Sequence, residues 1–178
     1  MAAIEIRKAI PEDAFEYVLC NIACWREAYQ GIMPDEYLAS RSEDLAQQVE
    51  DYRRSLDEPE SFLYFCVEDG DKMIGRLILC ESRDQDKAGT GEVAAIYLRK
   101  EYWSKGYGRM MMDYAVDVLK GIGYQEVILC VLEENSRARR FYERYGFVHD
   151  GHSGTVLYGK ALRALRYTMK MEDTKARA

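Results

Sequence analysis

A glycine-containing stretch, Trp103 to Arg109, has the residue types of an anion-binding loop and lies between an apolar run and an amphipathic segment. Gly106 and Gly108 allow the backbone to approach a ligand closely because neither residue carries a Cβ. The first turn of the helix predicted to follow would direct unpaired N–H groups and a favourable dipole at an anion. A pyrophosphate suits such a loop, although two glycines are equally typical of a plain turn between a strand and a helix.

Two other phosphate-binding motifs do not fit the sequence. A P-loop requires Gly-x4-Gly-Lys-Ser/Thr, and no stretch of the chain matches it. A dinucleotide-binding fingerprint requires a third glycine at the position of Met111, and it places its glycines directly after a strand. Because residues 99–105 intervene here, we set both motifs aside.

A second stretch, Asn135 to Phe147, follows another apolar run and has the spacing of a short helix. Asn135 is a suitable N-cap for this helix. Tyr142 shares a helix face with Ala138, four residues earlier. A tyrosine in this position either packs in the core or directs its hydroxyl into a cleft, and the residues alone favour core packing.

The two stretches together resemble the GCN5-related N-acetyltransferase (GNAT) superfamily. Ile96-Tyr97-Leu98 and the loop that follows resemble a strand and an Arg/Gln-x-x-Gly-x-Gly/Ala pyrophosphate loop of that family. The stretch from Asn135 to Phe147 resembles its second signature. Trp103 departs from the pattern, since arginine or glutamine is usual there. We expect this change to remove a side-chain hydrogen bond within the loop and to leave phosphate binding to the backbone amides.

The resemblance implies that acetyl-CoA is the acyl donor, bound in a cleft where the fourth and fifth strands splay apart. The pantetheine would pair with one of these strands, and the loop would bind the pyrophosphate. The implied cofactor-binding residues are Ile96, Tyr97, Leu98, Ser104, Lys105, Gly106, Tyr107, Gly108, Arg109, Asn135 and Ala138.

The resemblance also implies direct acyl transfer to an amine. Tyr142 matches the family's usual general acid, which protonates the thiolate of the leaving CoA. Glu92 is our candidate general base, acting through a water molecule, and a backbone N–H would stabilise the oxyanion. Glu92 is equally suited to bind a cationic substrate or to be a solvated carboxylate at the end of a strand.

The acceptor side is less well defined. The stretch Trp25 to Pro34 resembles one found in bacterial GNAT proteins, which implies that Trp25, Tyr29 and Met33 shape acceptor selectivity; packing at a helix corner is the alternative. The remaining candidates are four arginines for the CoA 3′-phosphate, for which a solvated helix face is favoured, and two histidines in a glycine-rich loop for the acceptor. These residues are Arg137, Arg139, Arg140, Arg144, His149 and His152.

Hydrophobic periodicity predicts the elements that would position these residues. The predicted strands cover residues 4–6, 62–67, 73–80, 93–98, 127–132, 156–158 and 165–171, and the predicted helices cover 11–29, 42–56 (closed by Pro59), 111–122 and 138–145. The strand–helix–strand unit from 93 to 132 requires a parallel pair. We therefore predict an α/β (α+β) fold, a GNAT-like domain whose mixed central sheet has about seven strands and is flanked by four or more helices.

Length and charge limit the function. The 178 residues predict one domain over residues 1–171, which the resemblance implies is an acetyltransferase domain, and a charged tail over residues 172–178. The net charge of −6 argues against nucleic acid as a partner and suits a cationic amine, whether small molecule or peptide. The acidic residues between 42 and 56 favour the same class of acceptor.

The remaining expectations concern environment and assembly. Five scattered cysteines and two histidines predict buried free thiols and no metal site. Without a leader or a membrane span in the pattern, we expect a cytoplasmic protein. Aromatic and apolar residues at 158–167 are compatible with a homodimer. A non-catalytic acyl-CoA-binding or sensing domain on the same fold is the alternative function, and an interaction domain with a vestigial cleft is a weaker one.

Overall fold

A computed structural model describes residues 4–57 and 61–171. Pro59 and the predicted tail, residues 172–178, lie outside the described residues. The strands are β1 (Ile4–Lys8), β2 (Phe62–Asp69), β3 (Lys72–Glu81), β4 (Gly91–Leu98), β5 (Glu126–Leu132), β6 (Val148–Leu157) and β7 (Ala161–Lys170). The α-helices are α1 (Ala14–Tyr29), α2 (Asp35–Ser40), α3 (Leu45–Asp57), α4 (Tyr107–Ile122) and α5 (Ser136–Tyr145).

The seven strands form one mixed sheet in the order β1-β2-β3-β4-β5-β7-β6. The predicted hairpin is confirmed as β2 and β3, and the predicted parallel pair is confirmed as β4 and β5. Helices α4 and α5 cover one face of the sheet, and α1 and α3 cover the other. The mixed α/β fold with a seven-stranded sheet is thus confirmed.

Helix α4 shows how periodicity produces this packing. Met111, Ala115 and Leu119 recur every four residues, so they lie on one face of the helix, and all three are buried. They contact strands β3 and β4 within the larger of the two main cores. Burial of each large apolar side chain contributes about 1.5–3 kcal/mol to stability.

The two strands predicted near the C-terminus, residues 156–158 and 165–171, are shorter than the strands of the structure. His149 and His152 lie on strand β6, and not in a glycine-rich loop. Nearly every residue of β6 is exposed, because this strand forms the edge of the sheet, so its sequence lacks the apolar alternation that reveals a half-buried strand. Backbone pairing with β7 forms it instead, with an irregularity between His149 and Ser153.

A buried arginine holds the outer part of the sheet together. The Arg166 side chain, on β7, is 4% exposed and forms ion pairs with three aspartates. Asp84 and Asp86 come from the connection between β3 and β4, and Asp150 comes from β6. This cluster fixes the β3–β4 connection against the far edge of the sheet.

Strands β4 and β5 separate soon after they begin. They pair only at Gly91 with Val127 and at Glu92 with Ile128, so residues 93–98 of β4 lack a β5 partner. On its other edge, β4 pairs with β3 through a bulge, because Ile78 pairs with Ala95 whereas the adjacent Leu79 pairs with Val93. This arrangement opens the predicted cleft in the middle of the sheet.

No helix within residues 4–57 and 61–171 combines the length and the apolar composition needed to cross a membrane.

Candidate active site

The gap between β4 and β5 forms a cleft, which we call the β4–β5 cleft. Several residues predicted to bind cofactor or acceptor line it together, although they are far apart in sequence. The lining residues are Ala28, Tyr29, Val93, Ala94, Ala95, Ile96, Tyr97, Leu98, Trp103, Cys130, Val131, Asn135, Arg137, Ala138 and Tyr142. Asn135 also accepts a hydrogen bond from the Ala138 N–H at 3.1 Å, which confirms its predicted role as N-cap of α5.

The glycine-containing loop leads into the N-terminus of α4 beside this cleft. Gly106 is the N-cap and has φ +89°, a left-handed conformation that glycine adopts without strain. The first backbone bond of the helix runs from the Met110 N–H to the Gly106 carbonyl at 3.1 Å. The N–H groups of residues 107–109 precede it and have no backbone acceptor in the described structure, so they can bind an anion.

The expectation that Trp103 removes a hydrogen bond from the loop is wrong. Its indole Nε1 donates to the Leu98 carbonyl oxygen at 2.6 Å, because an indole N–H can supply the same kind of donor as an arginine or glutamine. The Arg137 guanidinium stacks on the Trp103 ring at 3.5 Å from its centroid. Arg137 forms no ion pair within the described residues, so its charge remains available at the cleft.

Tyr142 lies in the core and lines the cleft at the same time. It is 8% exposed, and its ring packs against Phe141 and Phe147 at centroid distances of 5.4 and 6.1 Å. Burial raises the pKa of Tyr142 well above its usual value. The raised pKa keeps the hydroxyl protonated. This hydroxyl has no hydrogen-bond partner in the part of the chain that the structure describes, so it is free to donate its proton.

Two further tyrosines meet at the cleft. The hydroxyl oxygens of Tyr29, at the end of α1, and Tyr97, on β4, lie 2.8 Å apart. Burial raises the pKa of Tyr97 to about 12 and that of Tyr29 well above 10, so both hydroxyls are neutral. The sequence identified each residue separately, but nothing in it indicated that residues 68 positions apart would form a pair.

Glu92 does not reach this cleft. It is 4% exposed, and both of its carboxylate oxygens bind Arg83: Oε1 accepts from the guanidinium at 2.5 Å, and Oε2 accepts from the backbone N–H at 3.1 Å. Glu92 is not among the residues that line the β4–β5 cleft or the larger cavity beside it. The structure therefore gives it an ion-pairing position and does not bring it to the same surface as Tyr142.

A larger cavity of about 470 Å³ lies beside the cleft, and we call it the aromatic cavity. It shares Ala94, Ala95 and Tyr97 with the cleft, so the two spaces adjoin along strand β4. Its lining residues are Asn21, Trp25, Arg41, Asp51, Tyr52, Ser55, Phe62, Tyr64, Arg76, Ile78, Arg83, Ala94, Ala95, Tyr97 and Tyr158.

The predicted acceptor residues divide among three places. Trp25 lines the aromatic cavity and Tyr29 lines the cleft. Met33 lines neither, because it is 3% exposed and packs with Leu38, Leu132 and Leu162 in a small core. For Met33, the alternative of packing at a helix corner describes its position.

The charge of the aromatic cavity differs from the expected acidic surface. Three arginines line it, Arg41, Arg76 and Arg83, and Asp51 is the one carboxylate residue among the lining residues of this described cavity. The other acids of α3 do not line it. Neither Arg76 nor Arg41 was among the predicted site residues. For Arg76, the available signal was an arginine in the middle of the apolar run 73–80.

The remaining candidates lie away from both spaces. Arg139 donates to the Tyr167 hydroxyl and to the Glu133 carbonyl, whereas Arg140 and Arg144 are exposed, as expected for a solvated helix face. His149 and His152 are exposed on β6. Four of the five cysteines are buried free thiols as predicted, and Cys130 is exposed.

Comparison with known proteins agrees with this geometry. The chain is 36% identical over 112 residues to a mycothiol acetyltransferase from Beutenbergia cavernae, covering 61% of this chain and 37% of that protein. It is 27% identical to spermidine N(1)-acetyltransferase from Thermoplasma acidophilum, covering 86% and 93%. An N-alpha-acetyltransferase 30 from Schizosaccharomyces pombe is matched over 55% of its length, so the chain spans well under two thirds of two of these curated relatives.

Solved structures show the same fold. The PaiA N-acetyltransferase from Thermoplasma acidophilum, in complex with coenzyme A, superposes with a TM-score of 0.76 at 23% identity, covering 95% of this chain and 99% of that one. The acetyltransferase (GNAT) family matches residues 23–147, more than half of the chain, and this range contains the cleft, the loop and Tyr142. The chain therefore belongs to the acetyltransferase (GNAT) family.

Proposed function

We propose that the protein is an N-acetyltransferase that transfers the acetyl group of acetyl-CoA to a primary amine of a small molecule or a peptide. One observation carries this proposal: β4 and β5 diverge beside an unpaired helix N-terminus, and Tyr142 lines the resulting cleft. The names of relatives support an amine acceptor, since one is a spermidine N(1)-acetyltransferase and another is a peptidyl-lysine N-acetyltransferase from Salmonella typhimurium.

The residues present fit acetyl-CoA. Residues 93–98 of β4 have a free backbone edge that can pair with the extended pantetheine arm as an added strand would. The N–H groups at the start of α4 suit the pyrophosphate, and a Cβ built on Gly106 meets no atom within 4 Å, so there is room for a ligand there. Arg137, held against Trp103, supplies a positive charge for a phosphate group.

Catalysis then requires few side chains. The neutral amine nitrogen attacks the thioester carbonyl carbon, the C–N bond forms, and the C–S bond breaks. A backbone N–H on the free edge of β4 stabilises the oxyanion. The Tyr142 hydroxyl donates a proton to the departing sulfur, since it is protonated and lacks a competing hydrogen bond among the described residues. The amine releases its proton to water, and water returns a proton to the Tyr142 oxygen.

Glu92 receives a different role from the one predicted. Because Arg83 occupies both of its oxygens, Glu92 is poorly placed to accept a proton from the amine. Its buried carboxylate instead holds Arg83 on the wall of the aromatic cavity. We therefore propose that Glu92 is a positioning residue.

Release of free CoA thiol from acetyl-CoA in the presence of a panel of primary amines tests the proposal. An N-acetyltransferase releases thiol only when an amine is present, and the acetylated amine is identified by mass spectrometry. A non-catalytic acyl-CoA sensor, the alternative function, would bind acetyl-CoA and release no thiol with any amine. Binding without turnover across the panel would favour that alternative.

A further inference from the structure

Three buried side-chain atoms lack a hydrogen-bond partner in the described structure, and all three belong to residues that line the aromatic cavity. They are Oδ1 of Asn21, Nε of Arg41 and Nε of Arg76. Buried polar atoms are nearly always paired, because leaving one unpaired costs about 1–3 kcal/mol. Their concentration around one cavity indicates that the cavity takes a polar ligand.

Arg76 is the most informative of these residues. It lies on β3 and is 4% exposed, yet it forms no ion pair with any acid within residues 4–57 and 61–171. Its guanidinium donates to the Tyr52 hydroxyl at 2.9 Å and stacks against the rings of Tyr17 and Tyr52 at 4.8 and 5.3 Å. Buried charges are usually paired with an opposite charge. Arg76 therefore has a hydroxyl and two rings as neighbours but no anionic partner among the described residues.

The other charged residues of the cavity wall do not supply an anion for Arg76. Arg41 stacks on Trp25 at 4.8 Å and also has no acidic partner among the described residues. Arg83 is already paired with Glu92. Asp51, the lining carboxylate, accepts a hydrogen bond from Gln47 and is exposed. The wall therefore presents two guanidinium groups without an acid.

The cavity adjoins the reaction site along β4. Ala94, Ala95 and Tyr97 line both spaces, and the bulge at Ala94 lies where β4 leaves β5. A molecule bound in the cavity can therefore present one end to the cleft. The aromatic walls would surround its apolar part.

We propose that the acceptor is a primary amine that carries an anionic group, a carboxylate or a phosphate, which Arg76 and Arg41 bind inside the aromatic cavity. This inference rests on the proposed acetyltransferase function. It replaces the expectation of a cationic acceptor: guanidinium groups already stack on Trp25 and Tyr52, two of the aromatic residues that line the cavity, and they would repel a polyamine.

Matched pairs of amines test the proposal by thiol release. Each pair shares its amine and differs in the anion: phenylalanine with phenylalaninamide, methionine with methioninamide, and O-phosphoethanolamine with ethanolamine. Spermidine represents the polycations. We expect the anionic member of the preferred pair to have a kcat/KM roughly tenfold or more above that of its neutral partner. The pairs also separate a carboxylate site from a phosphate site.

Variants assign the preference to the arginines. Arg76→Gln should reduce the ratio within the preferred pair toward one, and Arg76→Lys should restore part of it. If Arg76→Gln does not fold, Arg41→Gln, at a less buried site, should reduce the same ratio. Arg53→Gln is the matched control, since Arg53 lies on α3 but is exposed, pairs with Glu50 and does not line the cavity, and it should leave the ratio unchanged.

The failure of this inference differs from the failure of the proposed function. If spermidine or the neutral amines are the better substrates, or if the ratio survives both arginine variants, the anion site is wrong and the acetyltransferase stands. If no amine releases thiol, the same pairs are titrated calorimetrically into the CoA-bound protein. Tighter binding of an anionic member would still support the site, and binding that does not distinguish the members of any pair would overturn it.

Discussion

The hydroxyl groups of Tyr29 and Tyr97 lie 2.8 Å apart and join the end of α1 to β4 where the β4–β5 cleft meets the aromatic cavity. Replacing either tyrosine with phenylalanine leaves the other hydroxyl buried without this partner. Each single variant should lower the free energy of unfolding by about 1 kcal/mol. The double variant should be less destabilised than the sum, because no orphaned hydroxyl remains. Urea unfolding of all four proteins checks this, and strict additivity would show that the pair is uncoupled.

Tyr142 should control the chemical step. Tyr142→Phe keeps the ring in the core and removes the proton donor, so kcat should fall by roughly 10²- to 10⁴-fold while the Kd for acetyl-CoA changes little. Tyr145→Phe is the matched control, since Tyr145 lies on the same helix and its hydroxyl binds Asp113 outside the cleft. Equal kcat values for Tyr142→Phe and the unmodified protein would remove Tyr142 from the mechanism.

Glu92→Gln distinguishes a positioning residue from a base. The change removes the charge that holds Arg83 on the cavity wall, so we expect a higher KM for the acceptor, a lower Tm, and a kcat within about tenfold of the original. The fall of kcat at low pH, which the mechanism assigns to protonation of the acceptor amine, is the acidic limb of the pH profile and should remain. A kcat reduced about a thousandfold together with loss of that limb would restore Glu92 as the general base.

Gly106 should be sensitive to substitution because of its backbone conformation. Gly106→Ala places a Cβ on a residue with φ +89°, which costs about 1 kcal/mol and distorts the N-terminus of α4. We expect a lower Tm and a several-fold weaker affinity for acetyl-CoA. Gly121→Ala, in the last turns of the same helix, meets no atom within 4 Å and should raise stability instead. Similar effects of the two variants would contradict this assignment.

The Arg166 cluster predicts a pH-dependent contribution to stability. Arg166 lowers the pKa of Asp86 to about 2. Burial opposes ionisation of Asp150, but hydrogen bonds from the His152 backbone N–H and from Arg166 hold its pKa below the usual value. A carboxylate whose pKa is lowered in the folded protein stabilises the fold at pH values above its ordinary pKa, near 3.8. This stabilisation is lost as the pH falls toward 2. Arg166→Gln should therefore lower Tm by roughly 5–10 °C at pH 7. The difference should narrow below pH 4, and a difference that stays constant to pH 2.5 would contradict it.

Elements with strong periodicity could be predicted from the sequence. Helix α4 places Met111, Ala115 and Leu119 on one buried face, and the runs that became β3 and β5 are long and apolar. The loop around Gly106 could be found because backbone conformation and close approach restrict which residues fit there. Such features depend on residues that are close together in the chain, so local sequence patterns are enough to predict them.

Features that depend on distant residues could not be predicted. Strand β6 exists because β7 supplies its hydrogen bonds, and its own exposed residues carry no pattern. Glu92 stands at the start of a strand as expected, but only the fold shows that Arg83 binds both of its oxygens. The positive aromatic cavity opposes the net charge of −6, because the few charges that line a cavity need not follow the total.

Isothermal titration of the purified protein with acetyl-CoA, CoA and NADH tests the central claim most directly, because the cleft, the loop and the fold all converge on this ligand. We predict micromolar binding of acetyl-CoA and CoA and no binding of NADH. Absence of acetyl-CoA and CoA binding would contradict the assignment of the β4–β5 cleft and, with it, the proposed acetyltransferase function.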